Sequence, residues 1–167
     1  VFSTLSAWLA DADVDRAVVL GVSWGGVIAT RFALRHPDRL RALVLADTSR
    51  GSGIDAERAD MMRLRAEQYA ANPEAFVRDR TPLLVADDTP AEVVDRVAAI
   101  MSTACRMPGY GHAAASLAET DHSADLGRIN VPTLVVVGEH DRVCPPSDSQ
   151  FLTDRIPGAV YAEVPAT

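Results

Sequence analysis

Only two cysteines occur in 167 residues, Cys105 and Cys144, and neither lies in metal-ligand spacing. A disulfide framework and a thiolate metal site are both excluded, and two reduced thiols in a cytoplasmic protein are expected. Basic residues are also few: 16 Lys and Arg stand against 23 Asp and Glu, a net charge of −7. A surface for phosphate polymers does not fit that balance, so nucleic acid is not an expected partner. No apolar run approaches the roughly eighteen residues of a membrane span, which argues against a membrane partner. No signal peptide is visible, but the sequence begins with Val1 inside the helix-like stretch VFSTLSAWLADA. A longer polypeptide is therefore expected upstream, with any targeting signal on it.

What remains suits a soluble globular chain: 48% hydrophobic and 23% charged residues. Three short apolar runs, Ala17–Leu20, Ala42–Ala46 and Thr133–Val137, do not alternate polar with apolar. They predict strands of a parallel sheet covered on both faces. A fourth, Ala159–Val164, is more mixed and suits a sheet edge. Gly25–Arg35 predicts a helix stopped by His36-Pro37, and Pro145–Ile156 one closed by Pro157-Gly158. Strand, helix, strand at both ends of the chain indicates α/β architecture.

The middle of the chain breaks this rhythm and reads as helices only. Ile54–Ala71 is one, with Met61, Leu64 and Tyr69 as candidate buried positions. Pro73–Ala86 is interrupted by Pro82. Thr89-Pro90-Ala91-Glu92 opens another, with Thr89 as its cap and Val93, Val94, Val97, Ile100 and Met101 as an apolar face. A last helix is expected over Gly111–Thr120. The domain reading is an α/β core over 1–50 and 128–167, with a helical cap inserted at 51–127. An ordinary crossover of that length is unusual.

The chemistry centres on Gly21-Val22-Ser23-Trp24-Gly25, a G-x-S-x-G pattern directly after a strand and directly before a helix. The bare pattern occurs by chance in roughly one chain in twenty of this length, so its context is what matters. A turn this sharp forces the serine towards positive φ and leaves its neighbours no room for side chains. Gly21 and Gly25 are expected to give that room, and Gly26 to let the helix pack closely. Such a turn exposes the Ser23 hydroxyl and aims the Trp24 backbone N–H at a developing oxyanion. The bland alternative is a serine that merely caps the helix. The Trp24 indole either lines a pocket or covers the sheet edge.

A serine nucleophile needs a base, and the base a carboxylate to orient it. Asp141, in the loop after Thr133–Val137, falls on the same sheet edge as Ser23; Glu139 and Asp47 compete with it. Among the histidines, His36 lies at the far end of the helix that follows the elbow, the sharp strand-to-helix turn at Ser23. His112, after a Gly-Tyr-Gly turn, and His122 fall in the helical block. His140 is adjacent to Asp141 and expected to point away from it.

With these residues in view, the sequence resembles the α/β-hydrolase family. The resemblance rests on GVSWGG, VIATRFALRHPDRLRALVLADT and VPTLVVVGEHDRVCPP, and on RIPGAVYAEVPAT, which resembles the approach to that family's catalytic histidine. Through RMPGYGHAAASLAETDHSADLGRINVPTL it is most similar to the 3-oxoadipate enol-lactonase group. Esterases, cofactor-free haloperoxidases and carbon–carbon bond hydrolases share these phrases. The resemblance covers essentially the whole chain, but about 60% of a complete family member. It implies Ser23 as nucleophile, Asp141 as the histidine-orienting acid and the Trp24 N–H as one oxyanion donor. It implies a histidine base just beyond Thr167 and no cofactor or metal. The implied partner is a small ester or lactone, whose carboxylate, if present, could meet Arg58, Arg63, Arg78 or Arg106. A non-catalytic, ligand-binding member of the same fold stays open, and the oligomeric state is not legible.

Overall fold

The computed structural model of the protein describes residues 2–165. Ala166 and Thr167, where the sequence predicts the histidine-bearing loop to begin, lie outside the described residues. In chain order the elements are α1 (Phe2–Asp11), β1 (Ala17–Val22), α2 (Trp24–Arg35), β2 (Leu40–Ala46), α3 (Ala56–Ala71), α4 (Pro73–Arg80), α5 (Ala91–Ala104), α6 (Gly109–Ala118), β3 (Thr133–Gly138), α7 (Pro146–Arg155) and β4 (Val160–Val164). They form two compact units: residues up to Gly51 with those from Asp121 onward, and Ser52–Thr120.

In the first unit the described strands pair in the order β1-β2-β3-β4, all parallel. β1 and β2 run longer than their apolar runs suggest, because sheet pairing carries Gly21-Val22 and Leu40 into the ladder, with Arg41 unpaired where the register shifts. α2 ends where Pro37 removes the next donor; the His36 N–H closes it on the Phe32 carbonyl at 2.8 Å. α7 starts with Pro146 in its first turn, where a missing N–H costs nothing. Leu43, Leu45 and Val135 on one sheet face are fully buried with Phe32 and Leu152. Each such side chain contributes about 1.5–3 kcal/mol by leaving water.

Among the described residues, the opposite face is only partly covered, against the expectation of a sheet buried on both sides. Register places Val18, Leu20 and Val22 beside Ala42, Val44 and Ala46, then Leu134 and Val136, then Val160, Ala162 and Val164. Every one is apolar, yet Leu20 is 62% exposed and Val160 61%. An unbroken apolar run shows that a strand can be buried on both faces; these residues cover one of them.

The second unit is helical. Asp55 caps α3 by accepting the Arg58 N–H at 2.7 Å, and Asn72 caps α4 by accepting the Ala75 N–H at 3.0 Å. Tyr69, Phe76 and Tyr110 form an aromatic cluster with ring centroids 5.1–5.5 Å apart. The Tyr69 hydroxyl donates to the Cys105 carbonyl at 2.5 Å. Burial pushes the Tyr110 hydroxyl above its ordinary pKa, against the opposing pull of Arg80 and Arg65.

Several local expectations shift here. Tyr69 is buried as expected, but Met61 and Leu64 are exposed and Ala59 and Met62 take the inner face. Thr89 does not cap α5; Pro90 holds that position, and α5 buries none of its residues fully. Val93 and Ile100 on its apolar face are exposed. Pro82 falls in a single 3₁₀ turn, Thr81–Leu83, after α4 has ended at Arg80. Gly109-Tyr110-Gly111 is the first turn of α6 rather than a separate turn before it.

Candidate active site

Ser23 links β1 to α2 with φ 52° and ψ −123°. Positive φ for a residue with a Cβ costs of order 1–3 kcal/mol and persists only where neighbours enforce it. The Ser23 N–H donates to the Ala46 carbonyl at 3.0 Å, and its carbonyl accepts the Gly26 N–H at 2.9 Å. The side chain is exposed and makes no capping bond to α2, so the geometry differs from that of an ordinary capping serine.

The glycines divide the work unequally. A Cβ on Gly21 would lie 2.3 Å from the Gly25 carbonyl oxygen, and one on Gly26 2.4 Å from Thr48 Oγ1. Gly21 is thus held without a side chain by the turn, and Gly26 by close packing on Thr48. Gly25 has nothing within 4 Å of its would-be Cβ, so the expectation that it relieves crowding is not met by the described residues.

Trp24 is the first residue of α2 and half-buried. The Trp24 and Gly25 N–H groups precede the first helical hydrogen bond, which runs from Gly26 to Ser23. Free N–H groups at a helix start are suited to binding negative charge.

Asp141 follows β3. Its N–H donates to the Gly138 carbonyl at 3.1 Å, and its Oδ1 accepts the N–H groups of Val143 and Cys144 at 2.7 and 2.9 Å. This local turn fixes the carboxylate through one oxygen. Val22, Ala46 and Val136 stand in one row across β1, β2 and β3. Ser23 and Asp141 therefore leave the same edge of the sheet, from strands about 10 Å apart. The rival Asp47 also has positive φ, at 46°, and accepts the Gly138 N–H at 3.0 Å. Glu139 is exposed, and its N–H joins the Val164 carbonyl at 2.9 Å.

The histidines occupy four different settings. His36 caps the far end of α2, and its ring packs on Phe32 at 5.1 Å. Twelve helical residues, about 18 Å, separate it from Ser23. His140 is exposed beside Asp141, and His112 is exposed on α6. His122 clusters with the sheet unit rather than the helical one, because it is buried against α2: its Nε2 lies 3.2 Å from the Val27 carbonyl. Burial and then the Arg31 charge depress its pKa, against the Val27 bond and the carboxylates of Asp121 and Asp125. A neutral ring with its proton on Nε2 fits that position.

Of the four arginines singled out for a substrate carboxylate, Arg63 pairs with Asp60 at 2.6 Å and Arg78 with Asp79 at 2.9 Å, both exposed. Arg106 Nε donates to the Thr103 carbonyl at 3.3 Å, and Arg58 lies in the first turn of α3. Thr48 escaped sequence reading altogether. Fully buried, it donates from Oγ1 to the Ser23 carbonyl at 2.5 Å. No local pattern distinguishes it from any threonine after a strand. No helix is long and apolar enough to cross a membrane among the described residues.

The sequence profile of the alpha/beta hydrolase fold matches residues 7–167. The chain is 30% identical to 3-oxoadipate enol-lactonase 2 of Acinetobacter baylyi, covering 90% of this chain and 56% of that protein. It is likewise 30% identical to a pimeloyl-[acyl-carrier protein] methyl ester esterase of Aromatoleum aromaticum, over 95% of this chain and 70% of the esterase. A solved hydrolase from Pseudomonas aeruginosa superposes with a TM-score of 0.81 at 32% identity, covering 99% of this chain and 62% of its own. The chain thus spans between 56% and 70% of the length of these relatives. With the strand–serine–helix geometry already described, these matches show that the chain belongs to the α/β-hydrolase fold family.

Proposed function

We propose that the protein is a serine hydrolase that cleaves a carboxylic ester or lactone through an acyl-enzyme. Ser23 is the nucleophile, the Trp24 N–H one oxyanion donor, and Asp141 the carboxylate that orients a histidine base. The observation that carries this reading is Ser23 itself: exposed, at φ 52°, and making no capping bond with its side chain. Strain of that kind is retained where a reactive group must be presented.

In the proposed cycle Ser23 Oγ attacks the carbonyl carbon while its proton passes to the histidine. The carbonyl oxygen becomes an oxyanion held by the Trp24 N–H at the helix start. The ester bond then breaks, and the histidine returns the proton to the leaving alkoxide, which in a lactone stays tethered to the acyl group. Water repeats the sequence to free Ser23 and the acid. The cycle draws on no metal or cofactor.

The histidine is assigned to residues following β4. The Glu139–Val164 bond sets the tip of β4 beside the loop that carries Asp141, which supports that placement. An enol-lactonase and a methyl ester esterase among the relatives favour the ester or lactone class. The test is hydrolysis of a p-nitrophenyl ester and of an enol-lactone by the full-length protein. A burst of one p-nitrophenol per protein, abolished in Ser23→Ala, is the expected result. Equal rates for wild type and Ser23→Ala would end the proposal.

A further inference from the structure

The strain at Ser23 is held from outside the residue, and the holder comes from the segment after β2. Thr48 is fully buried, and its Oγ1 donates to the Ser23 carbonyl at 2.5 Å. The absence of a side chain at Gly26 brings α2 against Thr48: a Cβ there would sit 2.4 Å from Oγ1 and 2.6 Å from the threonine Cβ. The Ser23 N–H is tied to the carbonyl of Ala46, the last residue of β2, at 3.0 Å. The tip of β2 therefore grips the elbow at both its N–H and its carbonyl.

The Ser23–Trp24 peptide is planar and trans, so the Ser23 carbonyl and the Trp24 N–H point in opposite directions. A group that fixes the carbonyl also fixes the N–H. We propose that Thr48 is a positioning residue: by holding the Ser23 carbonyl, its hydroxyl aims the Trp24 N–H at the oxyanion and keeps Ser23 in its attacking conformation. This rests on the roles given above to Ser23 and Trp24. The linked bonds also polarise one another, since a carbonyl that accepts a hydrogen bond makes its own peptide N–H a better donor. An effect on an oxyanion donor is felt in the transition state, and so falls on kcat rather than on KM.

Thr48→Val removes the hydroxyl and keeps the shape, whereas Thr48→Ser keeps the hydroxyl. In the full-length protein, with a p-nitrophenyl ester as probe, Thr48→Val is expected to lower kcat about 10- to 100-fold, with KM within twofold. That is part of the 10²–10³ lost when such a donor is removed outright. Amide hydrogen exchange at Ser23 and Gly26 should rise at least tenfold in Thr48→Val, and Thr48→Ser should restore both readouts to within about threefold of wild type. Unchanged exchange in folded Thr48→Val overturns the proposal whatever the activity. So does raised exchange with kcat intact, or equal losses in the valine and serine variants. Wild type no faster than Ser23→Ala instead sinks the nucleophile reading, and the catalytic role of Thr48 falls with it.

Discussion

Asp47 accepts the N–H of Gly138 at 3.0 Å, tying the end of β2 to the end of β3. One of the two carboxylates at this edge is thus joined to the neighbouring strand, while Asp141 is held by its own loop. The two aspartates should separate on mutation. Asp47→Asn keeps an acceptor for Gly138 and is expected to hold kcat within about threefold. Asp141→Asn keeps the turn to Val143 and Cys144 but no longer stabilises an imidazolium, and should lower kcat by about 10³–10⁴. Steady-state kinetics on both variants, with melting temperatures to confirm folding, checks the assignment.

Backbone strain at Ser23 can be measured without any substrate. Glycine adopts φ 52° freely, whereas alanine keeps the penalty of a Cβ. Ser23→Gly is therefore expected to be more stable than Ser23→Ala by about 1 kcal/mol in denaturant unfolding. Equal stabilities would show that the turn is relaxed.

The two glycines of the first helical turn make a paired test. Gly26→Ala drives a methyl into Thr48 and should cost about 1–3 kcal/mol. At Gly25 nothing stands within 4 Å of the new methyl, and alanine is the better helix former. Gly25→Ala should leave the melting temperature unchanged or raise it.

His122 predicts a pH effect of definite sign. Its folded pKa lies below the ordinary value of 6.5, chiefly through burial. As pH falls, the unfolded chain takes up this proton before the folded one does. The stability contributed by the neutral ring is whole above pH 6.5 and drains away as pH falls from there towards the depressed folded value. In His122→Gln, whose amide can still donate to Val27, thermal unfolding between pH 7 and 5 should depend less on pH than in wild type.

Most of the sheet unit was legible because its signals are local. β-branched runs mark the strands, and Pro37, Pro145, Pro157 and Gly158 bound the helices between them. The elbow was legible for the same reason, since strand, G-x-S-x-G and helix are contiguous. The inner face of α3 was misread because Met61 and Met62 sit one step, about 100°, apart on a helix, and only tertiary packing decides between them. The exposure of Leu20 and Val160 on one sheet face, among the described residues, could not be read because apolarity reports what a strand can bury, not what lies over it. Thr48 and His122 act through contacts 25 and 95 positions away, to Ser23 and Val27, and no spacing rule reaches that far.

The central claim is that Ser23 is an activated nucleophile, and covalent labelling reads it directly. The full-length protein is treated with a fluorophosphonate, digested, and its adduct located by peptide mass spectrometry. The account predicts one stoichiometric adduct on Ser23, absent from Ser23→Ala and slowed by orders of magnitude in Asp141→Asn. An unlabelled Ser23 in the folded protein, or an adduct on a different residue, would contradict it.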